Sequence, residues 1–345
     1  MSDIEIRAEG AAGRITLNRP EALNALTHEM CLALDRALRD WRDDPAVALV
    51  LIDAVGSRAF CAGGDIARLY AEGRAGNHAH GQQFWRDEYR MNLRIAEYPK
   101  PVVTLMQGFV MGGGVGIGCH ARHRIVGETA QVAMPECAIG LVPDVGGSCL
   151  LARGPGHLGA YLGTTGRRMG PADAIFAGFA DTFVPQSDWP ALSRALIESG
   201  APDAIGSFAT APSPAGDLPA LMPQIDRHFG GATLADIARS LQSIDTDFAA
   251  HSLKALSLVS PLAAACTVEM QRRLGKAPAL RDALELEYRF THRAQQHSDF
   301  LEGIRAAIID KDRSPHWRYD IFSVPERAVD RMLSSLGQDA LNFTE

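Results

Sequence analysis

The sequence predicts an α/β protein with a helical C-terminal region, and three observations carry that prediction. Short apolar runs of strand length alternate with helical patterns as far as Val184. From residue 187 onward the pattern is mainly helical. The chain has 345 residues, 46% hydrophobic and 22% charged, which is enough for a large core without disulfides or metal. A prior of about 150 residues per domain gives two units. The change of pattern sets them at residues 1–186 and 187–345, and the Ala/Pro/Gly-rich stretch 199–220 reads as the linker between the two halves.

Residues 4–7 and 14–18 read as two strands joined by a turn at Gly10 and Gly13. Thr27 is placed to cap a helix that runs to Trp41, with Met30, Leu34, Ala37, Leu38 and Trp41 on one face. Residues 46–52 form a nearly continuous apolar run, suited to a buried strand. A turn-rich stretch follows at 56–65, then a helix at 81–97 and a buried strand at 101–106. Residues 112–120 read as a Gly-rich turn entering a helix, and 125–126 and 132–133 as short strand pieces. The second half gives helices at 188–198, 233–242, 245–257, 261–274, 278–297 and 300–309, then an irregular tail at 311–318.

Charge and composition exclude several function classes. The formal net charge is −7, so no whole-chain field favours nucleic acid or an anionic membrane. No run of about 18 apolar residues occurs. The six cysteines form no C-x-x-C pair, which suits reduced thiols in a cytosol or matrix. With no basic flank before an apolar run and no Arg/Ser-rich leader, the expectation is a soluble, cytoplasmic protein of bacterial type. His120 with His123, and His78 with His80, lack a third ligand at a known spacing, so no metal is expected. Cys119 has His120 beside it, but adjacent helical residues point apart, so no activated thiol is implied. No G-x-G-x-x-G, P-loop or G-x-S-x-G pattern is present.

Between Glu128 and Arg153 only Glu136 and Asp144 carry charge, separated by Cys-Ala-Ile-Gly-Leu-Val-Pro. Two acids alone in an apolar segment suit acid–base chemistry. The structural alternatives are a helix cap for Asp144 and an exposed turn for Glu136. Glu88 lies among Phe84, Trp85, Met91 and Ile95 on the apolar face of its helix, opposite Arg86, Arg90 and Glu97. A carboxylate there needs a partner, either a core arginine or a ligand in a cavity. The 33 glycines concentrate between Gly108 and Gly170. Cys61-Ala62-Gly63-Gly64-Asp65 and Met111-Gly112-Gly113-Gly114-Val115-Gly116 each follow a buried strand. Such loops either bring backbone N–H groups to an oxyanion or allow close packing of helix on strand.

These stretches resemble the enoyl-CoA hydratase/isomerase (crotonase) superfamily. Ile15 to Pro20 and Asn24-Ala25-Leu26 resemble its opening, and Phe60 to Asp65 with Gly108 to Gly114 its two oxyanion segments. Met134 to Gly147 resembles the signature of its branch that hydrolyses 3-hydroxyisobutyryl-CoA. Glu287-Tyr288-Arg289, Asp299-Phe300 and Gly303 to Trp317 resemble that branch too, so the likeness covers nearly the whole chain.

The resemblance implies a spiral of strand-strand-helix turns followed by a helical region. It implies backbone N–H donation to the thioester oxygen from Gly64 and Gly113, catalysis by Glu136 and Asp144, and substrate binding by Glu88, Gly113, Glu136 and Asp144. The implied activity releases 3-hydroxyisobutyrate and CoA, a step of valine breakdown. CoA belongs to the substrate, and no separate cofactor is implied. The implied partner is the acyl-CoA alone, with neither nucleic acid nor membrane, and a homo-oligomer stays open. Hydratases of the superfamily carry a second glutamate three positions after the central oxyanion glycine, where this chain has Gly116. Hydrolysis is therefore expected over hydration. The rivals are an isomerase using Glu136 alone and a non-catalytic CoA-binding protein.

Overall fold

The computed structural model describes residues 2–343. By compactness the chain forms two units. The first takes the chain up to Gly64 with Asp87–Ala133 and Arg168–Pro219; the second takes Asp65–Arg86, Met134–Arg167 and the chain from Ala220 onward.

The first unit holds two sheets. Six strands form the larger one, in the order Ile4–Glu9, Ala12–Leu17, Leu49–Ala54, Val102–Met106, His123–Val126 and Thr182–Phe183. The first pair is a hairpin and every later pair is parallel. Ala59–Cys61, Phe109–Met111 and Gln131–Ala133 form the smaller sheet, all parallel. Each of three successive turns of chain thus lays its first strand in the large sheet and its second in the small one. That repeat is the spiral of the crotonase type. Leu49, Val50, Leu51 and Ile52 are all fully buried, so both faces of this strand are covered and no polar alternation survives. Leu49 and Leu51 pack with Val103, Leu105 and Ile125 against Leu192, Leu196 and Ile197 of the helix Trp189–Ser199. Compactness therefore groups residues 187–219 with the sheet, whereas a division at 186 follows the change of local pattern.

Local chemistry explains the element boundaries. The Oγ1 of Thr27 accepts from Met30 N at 3.1 Å and opens the helix His28–Trp41, whose Met30, Leu34, Leu38 and Trp41 are buried as the spacing predicts. The strand expected at 46–52 begins later, at Leu49, because Asp44 accepts from Ala46 N through its side chain and from Val47 N through its carbonyl, folding 44–47 into a turn. The helix expected at 81–97 spans His78–Ala96.

The second unit is helical. Leu234–Gln242, Asp247–Leu256, Pro261–Leu274 and Leu280–His297 match their expected spans closely. Three of the four begin on a side-chain cap. Thr233 forms a capping box with Asp236, Thr246 accepts from Ala249 N and Ser260 accepts from Ala263 N. Gly147–Arg153 and Leu158–Thr165 show no amphipathic period, because they are buried nearly all round. Leu218–His228 begins inside the stretch read as a linker and carries Pro223 within it. The tail expected to be irregular is followed by a further helix, Glu326–Leu333.

Candidate active site

In the first unit the opening motif holds the first glycine loop. Asn24, at φ 54°, donates through Nδ2 to the carbonyls of Val55 and Ala59, and its Oδ1 accepts from Arg19 N. Leu26 N then donates to Gly63 O at 2.8 Å, and Ala62 N to Leu23 O at 3.1 Å. Gly63 sits at φ +117°, a region open to glycine. The second loop turns at Gly112, at φ 48°, into the helix Gly113–Gly118. Gly113 is its first helical residue, so the Gly113 N–H has no acceptor within the helix.

A methyl group placed on Gly113 would lie 3.5 Å from Gly64 N and 2.9 Å from Glu88 Oε1. Gly64, Gly113 and Glu88 are thus brought together. Glu88 is only 2% exposed. The two neighbouring glycines differ in what a side chain would meet. Gly114 serves packing, since a Cβ there would strike the Cys61 carbonyl oxygen, and Gly113 keeps the space in front of Glu88 open.

In the second unit Glu136 starts the 3-10 turn Glu136–Ile139 and is buried, as is Asp144. Neither structural alternative applies. Glu136 is not on an exposed turn, and the helix after Asp144 starts at Gly147 with Gly146 as its N-cap and no side-chain cap. The helical half braces this segment. Ser260 N donates to Cys137 O at 2.9 Å, and Ser260 Oγ donates to Asp299 at 2.6 Å. Gly140 and Gly303 are bare because Asp299–Phe300 and Ile139 run against them, backbone to backbone. Glu287, fully buried, accepts from Gly146 N at 2.8 Å and from Ser148 N at 3.0 Å. Burial, aided by the charge of Asp144, pushes its carboxyl up to about 8.

All six cysteines are free and buried. Burial raises each thiol; Cys61, Cys119 and Cys137 reach about 12, which removes the thiolate needed for nucleophilic attack. Among the described residues no three His, Cys, Asp or Glu gather as metal ligands. No single described helix is long and apolar enough to cross a membrane.

The family model described as enoyl-CoA hydratase/isomerase matches residues 12–333. The chain belongs to the enoyl-CoA hydratase/isomerase family. Among curated members, the mitochondrial 3-hydroxyisobutyryl-CoA hydrolase of Xenopus tropicalis is 38% identical over 345 residues, covering 97% of this chain and 89% of its own. The human protein of that name is 36% identical over 352 residues, covering 99% and 91%. Two solved structures of the family superpose with a TM-score of 0.94. One, named an enoyl-CoA hydratase from Rhodobacter sphaeroides, is 61% identical and covers 99% of this chain and 100% of its own. The other, named a carnitinyl-CoA dehydratase from Mycobacterium thermoresistibile, is 40% identical and covers 99% of each chain.

The sequence motifs contained Glu287 and Asp299 but assigned them no task. Their hydrogen bonds to Ser148, Gly146 and Ser260 show that these family residues build the bed of the segment bearing Glu136 and Asp144. Ser260, which caps its helix, was not singled out by the sequence.

Proposed function

We propose that this protein hydrolyses the thioester of 3-hydroxyisobutyryl-CoA to 3-hydroxyisobutyrate and CoA, a step of valine breakdown. The observation that carries this reading is the near full-length match to curated proteins of that name. The backbone N–H groups of Gly64 and Gly113 polarise the thioester carbonyl, an arrangement in which each donor is typically worth about 10²–10³ in rate. Two routes are open to Glu136: attack on the carbonyl carbon to form a mixed anhydride that water then opens, or removal of a proton from the attacking water. The leaving thiolate has a free pKa near that of cysteine, about 8.5, so it departs with little acid assistance and no metal or cofactor is needed. Asp144 and Glu88 hold the 3-hydroxyl and orient the acyl group. A site built to bond a hydroxyl rejects acyl groups that lack it. The six free cysteines suit a reducing compartment, and we assign the protein to a cytoplasm.

Hydration of an enoyl-CoA is the second reading, favoured by the name of the structure 61% identical to this chain. Gly116 stands against it, because it offers no side chain where hydratases of the superfamily carry their second acid. A panel of acyl- and enoyl-CoAs, with a thiol trap for hydrolysis and loss of enoyl absorbance for hydration, separates the two. Thiol release from 3-hydroxyisobutyryl-CoA is expected, with Glu136→Gln lowering it by about 10²-fold or more. Hydration without thiol release, or near-normal turnover in that variant, overturns the reading.

A further inference from the structure

Asp144 begins a turn that its own sequence resists. Asp144 O accepts from Gly147 N at 2.7 Å, and the two residues between, Val145 and Gly146, both sit in the left-handed region at φ 52° and φ 79°. Glycine adopts that region freely; a β-branched residue such as valine rarely does. Something outside the turn must hold it.

The hydrogen bonds identify the clamp. Glu287 lies in the helix Leu280–His297 with no exposed surface. One of its carboxyl oxygens accepts from Gly146 N at 2.8 Å. The other accepts from Ser148 N at 3.0 Å and from the Ser148 hydroxyl. Gln271 Nε2 donates to Ser148 O at 3.1 Å, so every polar group of Ser148 is engaged. Packing alone would be served by an apolar side chain at 287, and a buried carboxyl group is costly to retain. Its bonds reach Gly146 and Ser148, on either side of the residue that closes the turn.

We propose that Glu287 is a positioning residue that holds the left-handed turn behind Asp144 and so sets the preference for a hydroxylated acyl group without touching substrate. This rests on the reading that Asp144 binds the 3-hydroxyl. Alanine removes every acceptor, whereas the amide keeps one oxygen for Ser148 and turns an N–H2 that cannot accept towards Gly146 N, so only part of the clamp survives.

The test has two readouts. The first is the ratio of kcat/KM for 3-hydroxyisobutyryl-CoA over isobutyryl-CoA in the wild type, Glu287→Ala, Glu287→Gln, Asp144→Asn and the double variant Asp144→Asn/Glu287→Ala. Glu287→Ala should lower this ratio about tenfold, as coupled neighbours do, and add little to the loss caused by Asp144→Asn. Glu287→Gln, which keeps one of the two acceptor oxygens, should lower the ratio less than Glu287→Ala does. Equal losses on both substrates, or losses that multiply in the double variant, would overturn the proposal. If Glu287→Ala does not fold, Ser148→Ala removes one contact of the clamp, and an unchanged ratio there overturns it equally. The second readout is independent of activity: a crystal structure of Glu287→Ala, or of Ser148→Ala, in which Val145 should leave the left-handed region or the 144–147 turn should become disordered. An unaltered turn refutes the clamp. A wild type that releases no thiol from 3-hydroxyisobutyryl-CoA defeats the functional reading instead, and the structure of the variant still decides the clamp.

Discussion

Gly113 meets two demands at one position: an N–H at the head of a helix and no side chain in front of Glu88. A methyl group there would approach Glu88 Oε1 to 2.9 Å, and a flexible carboxylate would yield before backbone did. Gly113→Ala should therefore fold with little loss of melting temperature, while displacement of Glu88 lowers kcat/KM for thiol release by roughly a hundredfold. An unimpaired variant would remove Glu88 from the machinery. Glu287 makes a prediction about pH. Its folded-state pKa is raised from 4.5 to about 8, chiefly by burial. The folded chain thus holds a proton that the unfolded chain releases. The resulting stabilisation is complete below about 4.5 and is lost as pH rises to about 8. Urea midpoints across that window should decline for the wild type more steeply than for Glu287→Gln, and equal slopes would contradict the raised pKa. At this scale the sequence was informative about candidates: Glu136, Asp144 and Glu88 stood out as lone acids in apolar settings, and all three are buried. It placed Glu287 in a family motif but gave it no task, because a glutamate within a charged helix looks like any other until the fold shows that it accepts from Gly146 N.

Among the elements, legibility followed amphipathicity. The helix His28–Trp41 was readable from its apolar stripe and from Thr27, the residue that caps it. Thr27→Ala should cost about 1 kcal/mol, measured as a lower urea midpoint at unchanged slope. Gly147–Arg153 and Leu158–Thr165 left no such stripe, since a helix buried on all sides has no polar face to set a period. The second strands of the spiral turns, Ala59–Cys61 and Phe109–Met111, are three residues long, too short to display alternation. Their glycine-rich surroundings read as turns for the same reason that they work as loops: the chain must reverse or approach another backbone there.

For the whole molecule, the later helices are part of the bed on which the segment bearing Glu136 and Asp144 rests. Residues 136–147 lean on Ser260, Glu287, Asp299 and Gly303, all beyond the change of pattern at 186. A fragment ending at residue 186 should accordingly yield no soluble species able to release thiol, and an active fragment would show that the bracing is dispensable. The sequence alone determined the α/β class, the helical C-terminal region, the family and the candidate acids and glycines, because these reside in local spacing, residue type and motif. Only the tertiary structure decided that residues 187–219 cover the sheet, that Gly64, Gly113 and Glu88 meet, and that Glu287 holds the turn behind Asp144. Those outcomes depend on which buried faces pair and where backbone N–H groups find acceptors, and such contacts join residues too distant in sequence for any local pattern to record.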